Sequence, residues 1–304
     1  MKYIAVIAGV LIIGALGYFF VGQKPSNAPE GKISVVASFY PMYFFASQIG
    51  GDNADVINVT PAGGEPHDYE PTAQDMAKIE GANLVVLNGG GLEAWGESVK
   101  QNMDSQKTTL VTAGEGLMTR RFIYDGEDIV DPHVWLSPIL AEQMVDKIEQ
   151  GYANADPANA DYYAKNAVDL KAKLSQLDTE YKQGLASCQR KDIITSHAAF
   201  GYLVATYGLN QVPISGLSPE EEPSAKDLAA VADFARKNGV KYIFFEILVS
   251  PKLSQTIATE IGAQTLVLDP IEGIADDGLA AGQDYMTVMR SNLASLKVAL
   301  QCTQ

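Results

Sequence analysis

Histidine is scarce in this chain, at three among 304 residues, cysteine is scarcer at two, and 22 Lys plus Arg face 37 Asp plus Glu. The shortage of basic residues leaves a formal net charge of -15, which disfavours a nucleic acid or an anionic lipid surface as a partner and suits a cationic ligand. Neither H-E-x-x-H nor G-x-S-x-G occurs, so the common metallohydrolase helix and the nucleophile elbow are both missing. Internal repeats are absent as well. What is present is apolar material: 47% of the residues are hydrophobic, enough for one large domain or two of ordinary size and too many for a disordered chain.

The first 24 residues, MKYIAVIAGVLIIGALGYFFVGQK, carry an apolar run from Tyr3 to Val21 between Lys2 and Lys24. This is the pattern of an export segment. The run approaches the roughly 20 residues that cross a bilayer, and Pro29 follows the small-residue site Ser26-Asn27-Ala28 and obstructs cleavage there. A retained anchor and a cleaved signal are therefore both open. No cysteine lies near the end of the run, which excludes lipid attachment at a processed N-terminal Cys. Export makes Cys188 and Cys302 candidates for one disulfide, with two buried thiols as the alternative.

Residues 25–32 read as a polar, Pro-containing tether. Beyond it, the short β-rich runs ISVVA, DVINVT, NLVVLN and TTLVT alternate with helical stretches, and DIITS, QVPIS, VKYIFF and AQTLVL repeat the pattern later. The alternation predicts an α/β fold with two halves, each a parallel sheet flanked by helices, at 33–155 and 188–304. Between them, 156–187 predicts one long helix: Asp156 is placed as N-cap, Pro157 takes the first position, and Leu170, Leu174, Leu177, Tyr181 and Leu185 recur at helical spacing. About 28 helical residues span about 42 Å, which makes this element a stiff backbone for both halves.

The histidines sit in GGEPHDYEPT, DPHVWLSP and ITSHAAFGY, each in a loop or at a strand end. Ligands of open α/β sheets bind beyond the carboxyl ends of the strands, so His67, His133 and His197 can converge there despite their separation in sequence. Asp269 ends the last strand in TLVLDPIEG. Three imidazoles and one carboxylate form a tetrahedral set suited to Zn2+.

Taken in order, GGEPHDYEPT, DPHVWLSP, SHAAFGYLVATYGL, GLSPEEEPS, YIFFEILVSPK and LVLDPIEG resemble the motifs of the zinc-type (cluster A-I) substrate-binding proteins of metal-importing ABC transporters. The resemblance runs from about Ile33 to Cys302. It implies two pseudo-symmetric α/β lobes joined by a rigid helix, with the metal held between them. Residue by residue, it places the family's ligands on His67, His133, His197 and Asp269. The manganese-type relatives have a carboxylate where this chain has His197, and three nitrogen donors favour zinc over Mn2+. Ala198 and Ala199 leave the metal room. Glu246 is expected either to orient a ligand histidine or to make a structural hydrogen bond. Glu65, Glu220, Glu221 and Glu222 either draw cations or form a solvated surface, and Trp135 is a core wall. The family also places a cysteine before the DIITS strand and another near the end, which supports a Cys188–Cys302 bridge. Many relatives have a His-rich loop between the first two ligand motifs, whereas residues 104–130 here contain no histidine.

The expected protein is thus a monomeric, non-enzymatic, extracytoplasmic receptor that captures Zn2+ and passes it to an ABC permease in the membrane, by small tilts and loop rearrangements instead of wide closure. Binding is expected to weaken below about pH 6 as histidine protonates. Three alternatives are a manganese receptor of the same family, an exported zinc hydrolase with an open coordination position, and a metal-stabilised adhesin.

Overall fold

A computed structural model of the chain describes residues 31–124 and 127–303. The export segment 1–24, most of the tether and Asp125 lie outside the described residues. Among the described residues no helix is long and apolar enough to cross a membrane.

The first lobe runs β1 (Ile33–Ala37), α1 (Tyr40–Gly50), β2 (Ala54–Asn58), α2 (Ala73–Gly81), β3 (Leu84–Leu87), α3 (Gly96–Asn102) and β4 (Thr109–Thr112). A hairpin, β5 (Arg121–Tyr124) and β6 (Glu127–Val130), follows, and then α4 (Pro138–Ala155). After α5 (Ala160–Leu185) the second lobe runs β7 (Asp192–Thr195), α6 (Gly201–Tyr207), β8 (Asn210–Pro213), α7 (Ala225–Asn238), β9 (Tyr242–Phe245), α8 (Lys252–Ile261), β10 (Gln264–Val267), α9 (Asp276–Ala280) and α10 (Tyr285–Ala299).

The strands form two parallel four-stranded sheets, ordered β2-β1-β3-β4 and β10-β9-β7-β8. All eight apolar runs read from the sequence become these strands. β3, LVVL, is buried along its whole length because helices cover both faces of a parallel sheet. Capping boxes start three of the helices: Thr72 with Asp75, Ser224 with Asp227, and Asp284 with Thr287.

Helix α5 is 26 residues long, about 39 Å, and buries the stripe Tyr163, Ala167, Leu170, Leu174, Leu177, Tyr181 and Leu185. It packs on α1 and α4 of the first lobe and on α10 of the second. The apolar core is accordingly continuous from Val35 through this stripe to Leu300, while smaller clusters line the far face of each sheet. The helix start differs from the expectation. Pro157 opens a separate 3-10 turn, Pro157–Asn159, and Asn159 is the residue before α5. The Asp156 carboxylate accepts from Asn159 Nδ2 and Tyr163 Oη, both at 2.7 Å, so it ties the turn to the helix without capping backbone N–H groups.

The hairpin was not foreseen. Its base reaches the second lobe, where Tyr202 Oη accepts from Arg120 N at 3.1 Å and donates to Asp131 O at 3.0 Å. Cys188 and Cys302 form a disulfide that closes a loop of 114 residues around the second lobe. Closure of so long a loop in the unfolded chain contributes about 2–5 kcal/mol. The metal-free Cys188→Ser/Cys302→Ser variant is therefore expected to unfold at lower urea concentration, with a loss in that range; an unchanged midpoint would contradict this role.

Candidate metal centre

Each histidine reaches the cleft from a different local device. His67 lies in the loop after β2, where Gly63 N–H donates across the lobes to Ile274 O at 3.2 Å and Glu65 Oε1 accepts from His67 N at 3.1 Å. A side chain at Gly273 would bring a Cβ to 3.1 Å from Gly64 O, so glycine lets these two loops meet. His133 precedes a 3-10 turn, and the Asp131 carboxylate two residues earlier takes both its backbone N–H at 3.0 Å and its Nδ1 at 2.9 Å. His197 follows β7. Its Nδ1 is 2.7 Å from Oε1 of Glu246, which directly follows the neighbouring strand β9. Gly201 leaves space for the Asp131 carboxylate, whose Oδ2 would lie 2.5 Å from a Cβ at that position.

A carboxylate that accepts from Nδ1–H fixes the tautomer of the imidazole and leaves Nε2 as a bare donor. The three Nε2 atoms converge on Glu272: its Oε1 is 3.3 Å from His67, 3.2 Å from His133 and 3.4 Å from His197, and the Nε2 atoms of His133 and His197 are 3.4 Å apart. Four donors bound tetrahedrally to zinc at about 2.0–2.1 Å lie about 3.3–3.4 Å from one another along the edges. The four spacings match four of the six edges, and the other two, from His67 Nε2 to those of His133 and His197, lie within 4.8 Å. Among the described residues this is the one group of histidines and carboxylates that could hold a metal in this way.

The site is shielded from solvent, with His133 and His197 fully buried, Glu272 nearly so and His67 partly exposed. Burial lowers His67. It also opposes the charged forms of His133 and His197, but the carboxylates of Asp131 and Glu272 for the first, and of Glu246 and Glu272 for the second, outweigh it and raise both. Glu272 is held well below the usual carboxylate range: burial acts against its charge, and His197 together with the hydrogen bonds from the histidines overcomes that. Glu65, at the rim, is pushed up to about 8 by burial and by the charge of Glu272. Glu220, Glu221 and Glu222 are not part of the group.

Asp269, expected to supply the carboxylate, does not join it. Its Oδ1 accepts from Ile271 N at 2.7 Å, and burial followed by the fields of Glu246 and Glu272 pushes it up to about 7. The residue that reaches the histidines is Glu272, three positions on. Asp131 was also missed, although a carboxylate two residues before a histidine is a legible hint. Trp135 is fully buried wall, as expected, with its edge against Phe39.

Residues 35–299 match the family described as zinc-uptake complex component A, periplasmic (ZnuA). The chain belongs to this family. Among its ZnuA-family relatives is the high-affinity zinc uptake system protein ZnuA of Bacillus subtilis (strain 168), 41% identical over 311 residues that cover 96% of this chain and 97% of that protein. The zinc-binding protein AdcA of Streptococcus pyogenes serotype M1 is 37% identical over 95% of this chain, which spans 61% of AdcA. The crystal structure of the Zn(II)-bound ZnuA-like domain of Streptococcus pneumoniae AdcA superposes with a TM-score of 0.76 at 39% identity, over 89% of this chain and 99% of that domain.

Because the neighbouring carboxylates raise His133 and His197 above the ordinary histidine range, Zn2+ has to compete with protons for these two rings. Affinity is then expected to rise with pH, and its loss on acidification to begin above the ordinary histidine range. Calorimetry at pH 7 in buffers of different ionisation enthalpy is expected to show release of about one proton or more per zinc. Identical heats in every buffer would contradict the shifts.

Proposed function

We propose that this protein is the extracytoplasmic receptor of a zinc importer: it binds one Zn2+ per chain between its lobes, as a monomer, and hands it to an ABC permease in the membrane. Residues 1–24 direct its export. The observation that carries this reading is the set of donor spacings around Glu272, which fits a tetrahedral metal with three imidazole ligands. The proposed ligands are His67, His133, His197 and Glu272, with Asp131 and Glu246 behind two of the histidines.

Three nitrogen donors favour zinc over the oxygen-preferring Mn2+. Four protein donors leave no open coordination position for a reactive water, which supports a carrier over a hydrolase. The acidic chain suits capture of a cation, and the continuous core through α5 supports release by loop displacement.

Metal-free protein is expected to take up one Zn2+ per chain in a chelator-competition titration and to prefer it to Mn2+. His197→Ala is expected to weaken zinc binding by more than about 100-fold, beyond the 10–100-fold typical of residues that only support a ligand. Unchanged binding in the variant, or a preference for Mn2+, would sink this reading.

A further inference from the structure

Ile271, one residue before Glu272, has φ 60° and is fully buried. A β-branched residue in the left-handed region is a costly conformation that persists only where its surroundings impose it. Here the imposing contacts are specific. Asp269 Oδ1 accepts the Ile271 N–H at 2.7 Å. The backbone of Asp269 is clasped on both sides by Asn292, which accepts from Asp269 N at 2.9 Å and donates to Asp269 O at 2.7 Å. The intervening carbonyl, Pro270 O, accepts from Trp135 Nε1 at 2.8 Å.

Asn292 and Tyr285 lie on α10 seven residues apart, two turns along one face. Tyr285 Oη donates to Trp135 O at 2.6 Å, and Trp135 follows His133 by two residues. One helix face therefore grips both the turn that carries His133 and the turn that carries Glu272.

We propose that Asp269, held by Asn292, is a positioning residue for the metal ligand Glu272: it fixes the left-handed turn at Ile271 that aims the Glu272 carboxylate at the three histidines. The inference rests on the zinc-receptor reading above. A direct bond from Asp269 Oδ1 to the metal would compete with the hydrogen bond that it accepts from the buried Ile271 N–H, and weakening that bond is costly.

The test compares Asp269→Asn, which keeps an acceptor for Ile271 N–H, with Asp269→Ala, which does not, and uses Glu272→Gln as reference. The readouts are Zn2+ affinity by chelator competition and the visible spectrum of the Co2+-loaded protein, which reports the ligand set. Asp269→Asn is expected to keep the wild-type spectrum and to bind at least about tenfold more tightly than Asp269→Ala. Asp269→Ala is expected to show the altered spectrum of Glu272→Gln. Where Asp269→Ala fails to fold, Asn292→Ser, which removes the clasp and leaves Asp269 in place, is expected to shift the spectrum in the same direction. Equal losses and equal spectra for Asp269→Asn and Asp269→Ala would overturn the proposal in favour of a charge or ligand role, as would a wild-type spectrum in Asp269→Ala or Asn292→Ser. Failure of the wild-type chain to bind either metal would instead overturn the zinc-receptor reading itself.

Discussion

The four proposed ligand atoms come from two lobes, so their spacing is only as well defined as the contact between those lobes. His67 and His133 are carried by the first, His197 and Glu272 by the second, and their donor atoms lie within 4.8 Å of one another. Helix α5 supplies the long-range part of that constraint by burying one apolar stripe against both lobes. The short-range part is polar: Trp135 to Pro270, Tyr285 to Trp135 and Gly63 to Ile274 all cross between elements beside the metal centre. A hinge that opened widely would have to break a continuous core and these hydrogen bonds together. Displacement of the loop that bears His67, the most exposed of the three histidines, breaks far less.

The electrostatics follow from the same burial. An isolated carboxylate in a dry cleft is strongly destabilised, yet Glu272 keeps its charge because the imidazoles surround it. Asp131 and Glu246 play a complementary part by holding Nδ1 of two rings, so that Nε2 points at Glu272 and is the nitrogen freed for a metal when its proton leaves. The metal-free centre is thereby held together by ion pairs and hydrogen bonds that a divalent cation replaces. A preorganised donor set of this kind loses little entropy on binding, which favours tight capture.

Most of the fold was legible because its signals are local. Each strand is a short apolar run between turn residues, and the stripe of α5 repeats at helical spacing without interruption. The hairpin at 121–130 escaped because its two runs are only half apolar, although the Asp-Gly pair between them is a turn signal. Asp156 was misplaced because its carboxylate found a phenol, Tyr163, in preference to the backbone. The histidines could be read as a set, since all three follow strands or precede helices at one end of the sheets. The carboxylate could not. Asp269 and Glu272 share one motif, and which of them reaches the histidines depends on a left-handed Ile271 that no residue preference would announce.

The most direct test of this account is a crystal structure of the zinc-loaded protein, with anomalous diffraction at the zinc edge to locate the ion. The account predicts one zinc between the lobes, about 2.0–2.2 Å from the Nε2 atoms of His67, His133 and His197 and from a Glu272 oxygen. Zinc bound by Asp269 in place of Glu272, or held outside the cleft, would contradict it.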